Sequence, residues 1–234
     1  TLMNQNTGKP MTDKDGKDIT GETVFTPTEP NGIVEVRFQA ELKQPLEGVT
    51  TVAFEDLYSE GIKVATHADI KDKDQSVHYP KIGTTLTDAS GKKKVTAEGA
   101  ITLVDTVKYE NLVPGTEYKM DGKLVDAKGN TIATGSSTFK PAAADGEAKI
   151  EFKFNANKVK GLDKVVAFEY LYDMNGNKVA QHEDLNDKGQ TVELTSPIVV
   201  KKKLAMTGAG IGLLGVLSLL TLGAGAALAA RRRI

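Results

Sequence analysis

Three polar side chains recur in fixed order in two stretches of the chain, and each belongs to a type that handles protons or acyl groups. In Val165 to Val192 (VVAFEYLYDMNGNKVAQHEDLNDKGQTV) they are Glu169, His182 and Gln190. In Thr51 to Val77 (TVAFEDLYSEGIKVATHADIKDKDQSV) they are Glu55, His67 and Gln75. Asp69 and Asp72 match Asp184 and Asp187, and the His-to-Gln spacing is identical, although a one-residue indel separates Glu from His. A histidine, with its pKa near neutrality, can take a proton and return it. A glutamate in an otherwise apolar strand has two readings: a solvent-facing residue on an edge strand, or a buried acid kept protonated by its surroundings. Its repetition favours the second. Asp184 and Asp187 read as turn caps. The run Asp184-x-Asn186-x-Lys188-Gly189 has part of a calcium loop's spacing. Lys188 occupies a ligand position there, however, and Thr195 stands where a bidentate glutamate is needed. One histidine per block makes a poor metal centre, so neither a metal nor a cofactor is expected.

The elements that must position these residues are strands. A repeat period somewhat above a hundred residues is too long for a solenoid and suits tandem domains. The boundaries fall at 1–79 and 80–200. In the second copy, strand candidates are Ala100–Val107, Glu117–Val125, Thr131–Phe139, Ala148–Phe154, Lys164–Tyr172, Lys178–His182 and Gln190–Leu194, separated by Gly- and Asn-rich turns. Seven short strands with regular turns predict a β-sandwich. In the first copy, Val34, Val36 and Phe38 alternate with Glu35 and Arg37 as one face of a strand, and Thr51–Tyr58 is another. Lys and Arg number 30 against 31 Asp and Glu, for a net charge of −1. No basic field is available for nucleic acid. Cys is absent, which removes disulfides and thiol chemistry from consideration. The chain opens at Thr1 without a secretory signal, as a fragment or a processed product does.

The end of the chain has a different composition. Leu204-Ala205-Met206-Thr207-Gly208 closes a short linker (201–208), an apolar run fills 209–230, and 231–234 is the basic tail Arg-Arg-Arg-Ile. The run is long enough to cross a bilayer as a helix, and the arginines would keep its C-terminal end in the cytoplasm. Pentapeptide, span and basic stop in this order resemble a Gram-positive cell-wall sorting signal of the LPxTG type, with Ala205 giving the LAxTG variant associated with class E sortases. The resemblance implies cleavage of the Thr207–Gly208 bond by a sortase. Transfer to peptidoglycan or its precursor follows, which places the protein at the cell surface, anchored to the wall after transient membrane insertion.

The two repeats resemble the VaFE surface-protein domains, Ig-like sandwiches related to the CnaB family that carry an internal Thr–Gln ester. The resemblance rests on the opening Ile82-Gly83-Thr84-Thr85, on Asp105-Thr106-Val107, on Pro114-Gly115 with Tyr118, and on the closing VAFE…HxDxxDxxQTV block. It implies an all-β fold of tandem sandwiches followed by the membrane helix. It also implies that Thr106 is the nucleophile and Gln190 the electrophile of a cross-link between the first and last strands. Glu169 and His182 would assist, with Asp126 as partner acid and Asp105 and Asp121 as alternatives. A Thr hydroxyl must lose its proton as it attacks, and a carboxamide nitrogen must gain one to leave. In the first copy Asn4 aligns with Asp126, and the strand expected to carry its Thr precedes residue 1, so Glu55, His67 and Gln75 form an incomplete site.

The resulting expectation is a wall-anchored stalk or adhesin, stiffened by a single-turnover cross-link and not an enzyme. A host or matrix ligand would be met through a more N-terminal region. Two further readings stand beside it: a pilin subunit, and a module whose own loops bind a ligand. Tyr79-Pro80-Lys81 resembles a pilin-polymerising motif, but Ile82 replaces its Asn and the segment lies between domains, so it reads as linker. A hydrolase built on Thr106 and His182 is disfavoured by Gln190, a tethered electrophile that would compete with any substrate.

Overall fold

The computed structural model describes residues 1–197. The LAMTG motif (204–208), the apolar run (209–230) and the basic tail (231–234) lie outside the described residues. Among the described residues the chain is all-β apart from one 3₁₀ turn, and no helix is long and apolar enough to cross a membrane.

The first repeat contains β1 (Leu2–Asn4), β2 (Lys9–Pro10), β3 (Val49–Ala53), β4 (Glu55–Ser59), β5 (Ile62–His67) and β6 (Ser76–Tyr79). The second contains β7 (Lys81–Asp88), β8 (Lys94–Thr96), β9 (Ala100–Glu110), β10 (Tyr118–Val125), β11 (Thr131–Phe139), β12 (Gly146–Asn155), the 3₁₀ turn Ala156–Val159, β13 (Lys164–Asp173), β14 (Lys178–His182) and β15 (Thr191–Thr195). All seven strands expected in this repeat are present. Two more, β7 and β8, precede them.

The second repeat is a sandwich. One sheet has the order β11-β10-β13-β15-β8, with β14 folded back on β13; the other has the order β12-β9-β7. Strict alternation drives the packing, because successive side chains point to opposite faces. On β9, Ile101, Leu103, Asp105, Val107 and Tyr109 turn inward. On β7 they are Ile82, Thr84 and Leu86. The facing row on β13 is Val165, Ala167, Glu169 and Leu171, and the two rows close on a common core with Met120, Leu124, Ile150, Phe152 and Val192. Val166 and Phe168 point the other way and bury against Val125 in a smaller cluster under Leu185. Gly122 and Gly135 are cross-strand partners where the sheets approach most closely. A Cβ on Gly135 would lie 2.5 Å from Ile150 Cγ2 and 2.7 Å from the Glu151 carbonyl oxygen, so a side chain there would push the two layers apart.

The first repeat reproduces half of this plan. Its sheet β2-β1-β3-β6 corresponds to β11-β10-β13-β15, and the hairpin β4-β5 to the outer half of β13 with β14. The registers agree residue for residue: Leu2 opposes Ala53 as Leu124 opposes Ala167, and Glu55 opposes His67 as Glu169 opposes His182. Thr51–Tyr58 is a strand as expected, though interrupted at Phe54. The strand expected at Val34, Val36 and Phe38 is absent: residues 20–47 form no ladder. Val-Glu-Val-Arg-Phe here corresponds to Ile-Glu-Phe-Lys-Phe of β12, which is paired along its whole length with β9. Among the described residues of the first repeat no strand stands where β9 would, so the alternating pattern has no backbone to bond.

Candidate functional site

At one end of the second sandwich, the inward rows of β7, β9 and β13 bring polar groups into the core. Asp105, Glu169 and Gln190 are each 0% exposed and Thr84 is 8% exposed. Gln190 stands just before β15, held by the turn that follows β14. Asp187 caps that turn, accepting from the backbone N–H groups of Gly189 (2.5 Å) and Gln190 (3.1 Å) through Oδ1, and Asp184 Oδ1 accepts from Asn186 N–H (2.8 Å). Lys93 reinforces it from the β7–β8 loop, its ammonium donating to the carbonyls of Lys188, Gly189 and Thr191. All three ammonium protons are thereby used. Burial pushes the Lys93 pKa down, against the pull of Asp105 and Asp187.

The carboxamide of Gln190 is held at both ends. Its Nε2 donates to Glu169 Oε2 (3.1 Å) and to the His182 carbonyl (2.9 Å), while its Oε1 accepts from the Asp184 N–H (3.2 Å). The groups around it are not held. Thr84 Oγ1, both carboxylate oxygens of Asp105, Glu169 Oε1 and His182 Nδ1 are buried without a hydrogen-bond partner. Such groups normally pair, at a cost of about 1–3 kcal/mol each when they do not. Thr84, Asp105 and Glu169 lie close enough to act on one another's ionisation. Burial raises the pKa of both carboxyls, and for Glu169 the adjoining Asp105 adds to the rise. Two carboxyls this close in a dry site cannot both ionise, so the pair holds one proton between them.

His182 sits at the rim, with Nε2 3.3 Å from Asp187 Oδ2. Its ring bonds neither Thr84 nor Gln190; only its backbone carbonyl touches the amide. The first repeat shows the same half-site. Gln75 Nε2 donates to Glu55 Oε2, and His67 Nε2 lies 2.8 Å from Asp72 Oδ2. Gln75 Oε1 is buried without a partner.

Glu169, His182 and Gln190 therefore stand together, whereas Thr106 and Asp126 do not join them. Thr106 follows Asp105 on β9, so the period of two turns it to the outer face of the three-stranded sheet, between Thr85 of β7 and Lys149 of β12. Asp126 lies beyond β10, where Oδ1 accepts from the N–H groups of Lys128 and Asn130. It is a turn cap, as is its counterpart Asn4, which accepts from the N–H groups of Asn6 and Thr7. Asp121 bonds Ser136 and Lys119 outside the core. Of the alternatives, Asp105 is the acid beside Glu169. Thr84 was not expected as a site residue, because β7 was not expected as a strand. The signal was nevertheless present: Ile82, Thr84 and Leu86 alternate ahead of the assumed first strand.

The chain matches the T-Q ester bond containing domain twice, over residues 1–79 and 80–194. No curated protein sequence matches it. Among solved structures it is similar to a bacterial adhesin from Mobiluncus mulieris containing intramolecular disulfide, isopeptide and ester bond cross-links, in two crystal forms. One gives a TM-score of 0.47 at 17% identity, covering 51% of this chain and 58% of that one. The other gives 0.44 at 19%, covering 49% and 56%. A glycosyl hydrolase family 2 member from Bacteroides cellulosilyticus follows at a TM-score of 0.36 and 11% identity, covering 46% and 14%. The chain thus spans little more than half the length of the adhesin chains.

The raised pKa of Glu169 has a stability consequence of definite sign. A carboxyl protonated in the folded state and ionised in the unfolded one favours unfolding increasingly as pH rises from about 4. In a Thr84→Val background, adding Glu169→Gln should make the fall in melting temperature between pH 4 and neutrality shallower. Turn aspartates such as Asp88, Asp126 and Asp173, whose pKa values are lowered chiefly by bonds from their own turns, contribute equally to both variants. Parallel profiles would contradict a protonated Glu169.

Proposed function

The chain belongs to the T-Q ester bond containing domain family, and on that premise we propose that its second repeat closes an intramolecular ester between Thr84 and Gln190. One observation carries this reading: Thr84, Asp105 and Glu169 form one buried cluster around a carboxamide held at both ends. These are a hydroxyl, an acid–base pair and an electrophile, the three parts that the reaction needs.

The step balances within the site. Asp105 takes the Thr84 proton as Oγ1 attacks the Gln190 amide carbon. Charge gathering on Oε1 is met by the Asp184 N–H, a fixed backbone donor. Once the tetrahedral carbon has formed, the nitrogen becomes basic and takes the proton of Glu169, whose Oε2 lies 3.1 Å away; the C–N bond breaks, and ammonia leaves. The carboxyl pair begins and ends with one shared proton, now on Asp105 instead of Glu169. His182 and Asp187 connect the pair with solvent and let it return to its starting state. The reaction happens once per domain and consumes no external substrate, so it builds structure and does not turn over as an enzyme does.

The bond would join β7 to the start of β15, the two strands through which the chain enters and leaves the domain. Load arriving at Lys81 and leaving beyond Thr195 then bypasses the ladders between them. Closing the Thr84–Gln190 loop would also reduce unfolded-chain entropy, worth about 4–5 kcal/mol by disulfide reasoning. A Cys-free chain has no other staple of this kind. Together with the sorting-like end, these properties suit a surface-anchored stalk or adhesin segment. In this reading a class E sortase joins Thr207 to peptidoglycan, and a host or matrix ligand is met by regions N-terminal to the repeats.

The intact mass of the chain should be about 17 Da below the calculated value, for one ammonia lost in acyl transfer to a hydroxyl. Thr84→Val, Gln190→Ala and Asp105→Asn should each restore the calculated mass, whereas Thr106→Val should leave the deficit unchanged. A full mass in the folded wild type would overturn the ester. Wall-released protein should end at Thr207, and Thr207→Ala should leave the protein in the membrane fraction. Wall-bound material that retains 209–230 would show a plain membrane anchor instead.

A further inference from the structure

The two repeats meet through a polar joint centred on one side chain. Asn111, in the turn after β9, has φ +64°, a left-handed conformation that asparagine adopts more readily than other non-glycine residues. Its backbone N–H donates to Asp145 Oδ1 (3.0 Å) within its own repeat, which fixes the turn. The side chain points into the first repeat and makes four contacts there. Nδ2 donates to the carbonyls of Val49 (2.7 Å) and Tyr79 (3.3 Å). Oδ1 accepts from the Thr50 hydroxyl (2.7 Å) and faces His78 Nδ1 at 3.1 Å. A carboxamide has two donor hydrogens and two acceptor sites, and all four are engaged. The Thr50 hydroxyl also lies 3.2 Å from His78 Nδ1, so the three side chains form one cluster.

Three more features mark this as a built interface. Thr50 is 1% exposed although it lies at the edge of its repeat. The connection between β6 and β7 is the single residue Pro80, itself buried, which leaves little freedom for swivelling. Residues Thr1–Pro197 also form one compact unit.

Thr50 and His78 are cross-strand partners on β3 and β6. Their counterparts at the far end of the second repeat, on β13 and β15, are Lys164 and Glu193, paired in the same register. Lys164 Nζ is turned back to the Leu185 carbonyl (3.2 Å), and Glu193 lies 3.7 Å from Lys94. Neither side chain reproduces the compact hydroxyl and imidazole groups that receive Asn111.

We propose that the β3–β6 end of the first repeat is a receptor for the asparagine turn of the repeat that follows it. The joint makes the two domains one rod. The second repeat, with Lys164 and Glu193 at the receptor positions, receives no further repeat in this way and is the terminal unit of the array.

The absence of cysteine allows clean spin labelling of the full chain at Lys71→Cys in one repeat and Lys128→Cys in the other, both exposed. Electron–electron distance measurement should give a single narrow distribution. Asn111→Gly keeps the left-handed turn and removes the amide. Relative motion is the default for domains without a specific interface, so the distribution should broaden about twofold. The double change Thr50→Lys with His78→Glu, which copies the terminal pair onto the receptor, should broaden it equally. Each variant is to be read alongside its intact mass, which reports the Thr84–Gln190 chemistry separately and should not change. A width unaffected by Asn111→Gly would overturn the joint. Broadening by Asn111→Gly but not by the Lys–Glu pair would overturn the terminal role of the second repeat.

Discussion

Two carboxyl groups buried side by side, Asp105 and Glu169, impose the constraint on which the site depends. Isolated charge in a dry core is too costly to keep, so one of them must retain a proton, and the pair therefore offers a base and an acid together. No external base is needed for the hydroxyl and no solvent proton for the leaving amine. The surrounding scaffold maintains this condition. Lys93 and Asp187 immobilise the backbone that carries Gln190, and Asp105, Glu169 and Gln190 are fully buried. The buried Thr84, Asp105 and Glu169 oxygens, closed off from solvent and close to one another, are expensive for a resting protein. They make sense as the starting point of a reaction that removes the hydroxyl and the amide from the polar inventory.

The first repeat shows which part of this arrangement travels with the VAFE…Q block. Its Glu55–Gln75 bond, its His67–Asp72 pair and its strand registers copy the second repeat, but the described residues hold no counterparts of β7 and β9. The electrophile side of the site is thus encoded within a single block, from β13 to β15. Thr84 and Asp105, the proposed nucleophile and its base, come from two strands more than fifty residues upstream of it. The same first repeat supplies the receptor for Asn111, so its ordered sheet both repeats the family's plan and positions its neighbour.

Much of the architecture was legible because alternation is strong where both faces of a strand differ. The seven expected strands of the second repeat, its turns and the matching of the two copies all follow from it. Glu169 and Gln190 could be singled out because the repeat preserves them alongside apolar neighbours. Three features were not legible. Strand β7 (KIGTTLTD) mixes Gly, Thr and Lys among its apolar residues, so its alternation is weak and the sequence places the first strand at Ala100–Val107. Thr106 stands one residue from the inward-facing Asp105, where a single step along β9 changes the face. The resemblance implies Asp126 as partner acid, yet an aspartate followed by Ala-Lys-Gly-Asn is first a turn cap. Finally, Val34–Phe38 has a strand's pattern without a partner, and pattern alone cannot supply the ladder.

The central claim concerns the location of the bond, which tandem mass spectrometry of a tryptic digest addresses most directly. The account predicts a branched species in which Ile82–Lys92, fragmenting to place the link at Thr84, is joined to the peptide that begins at Gly189 and carries Gln190. Linkage of that Gln190 peptide to Val95–Lys108, which carries Thr106, or its recovery as a linear peptide with an intact amide, would contradict it.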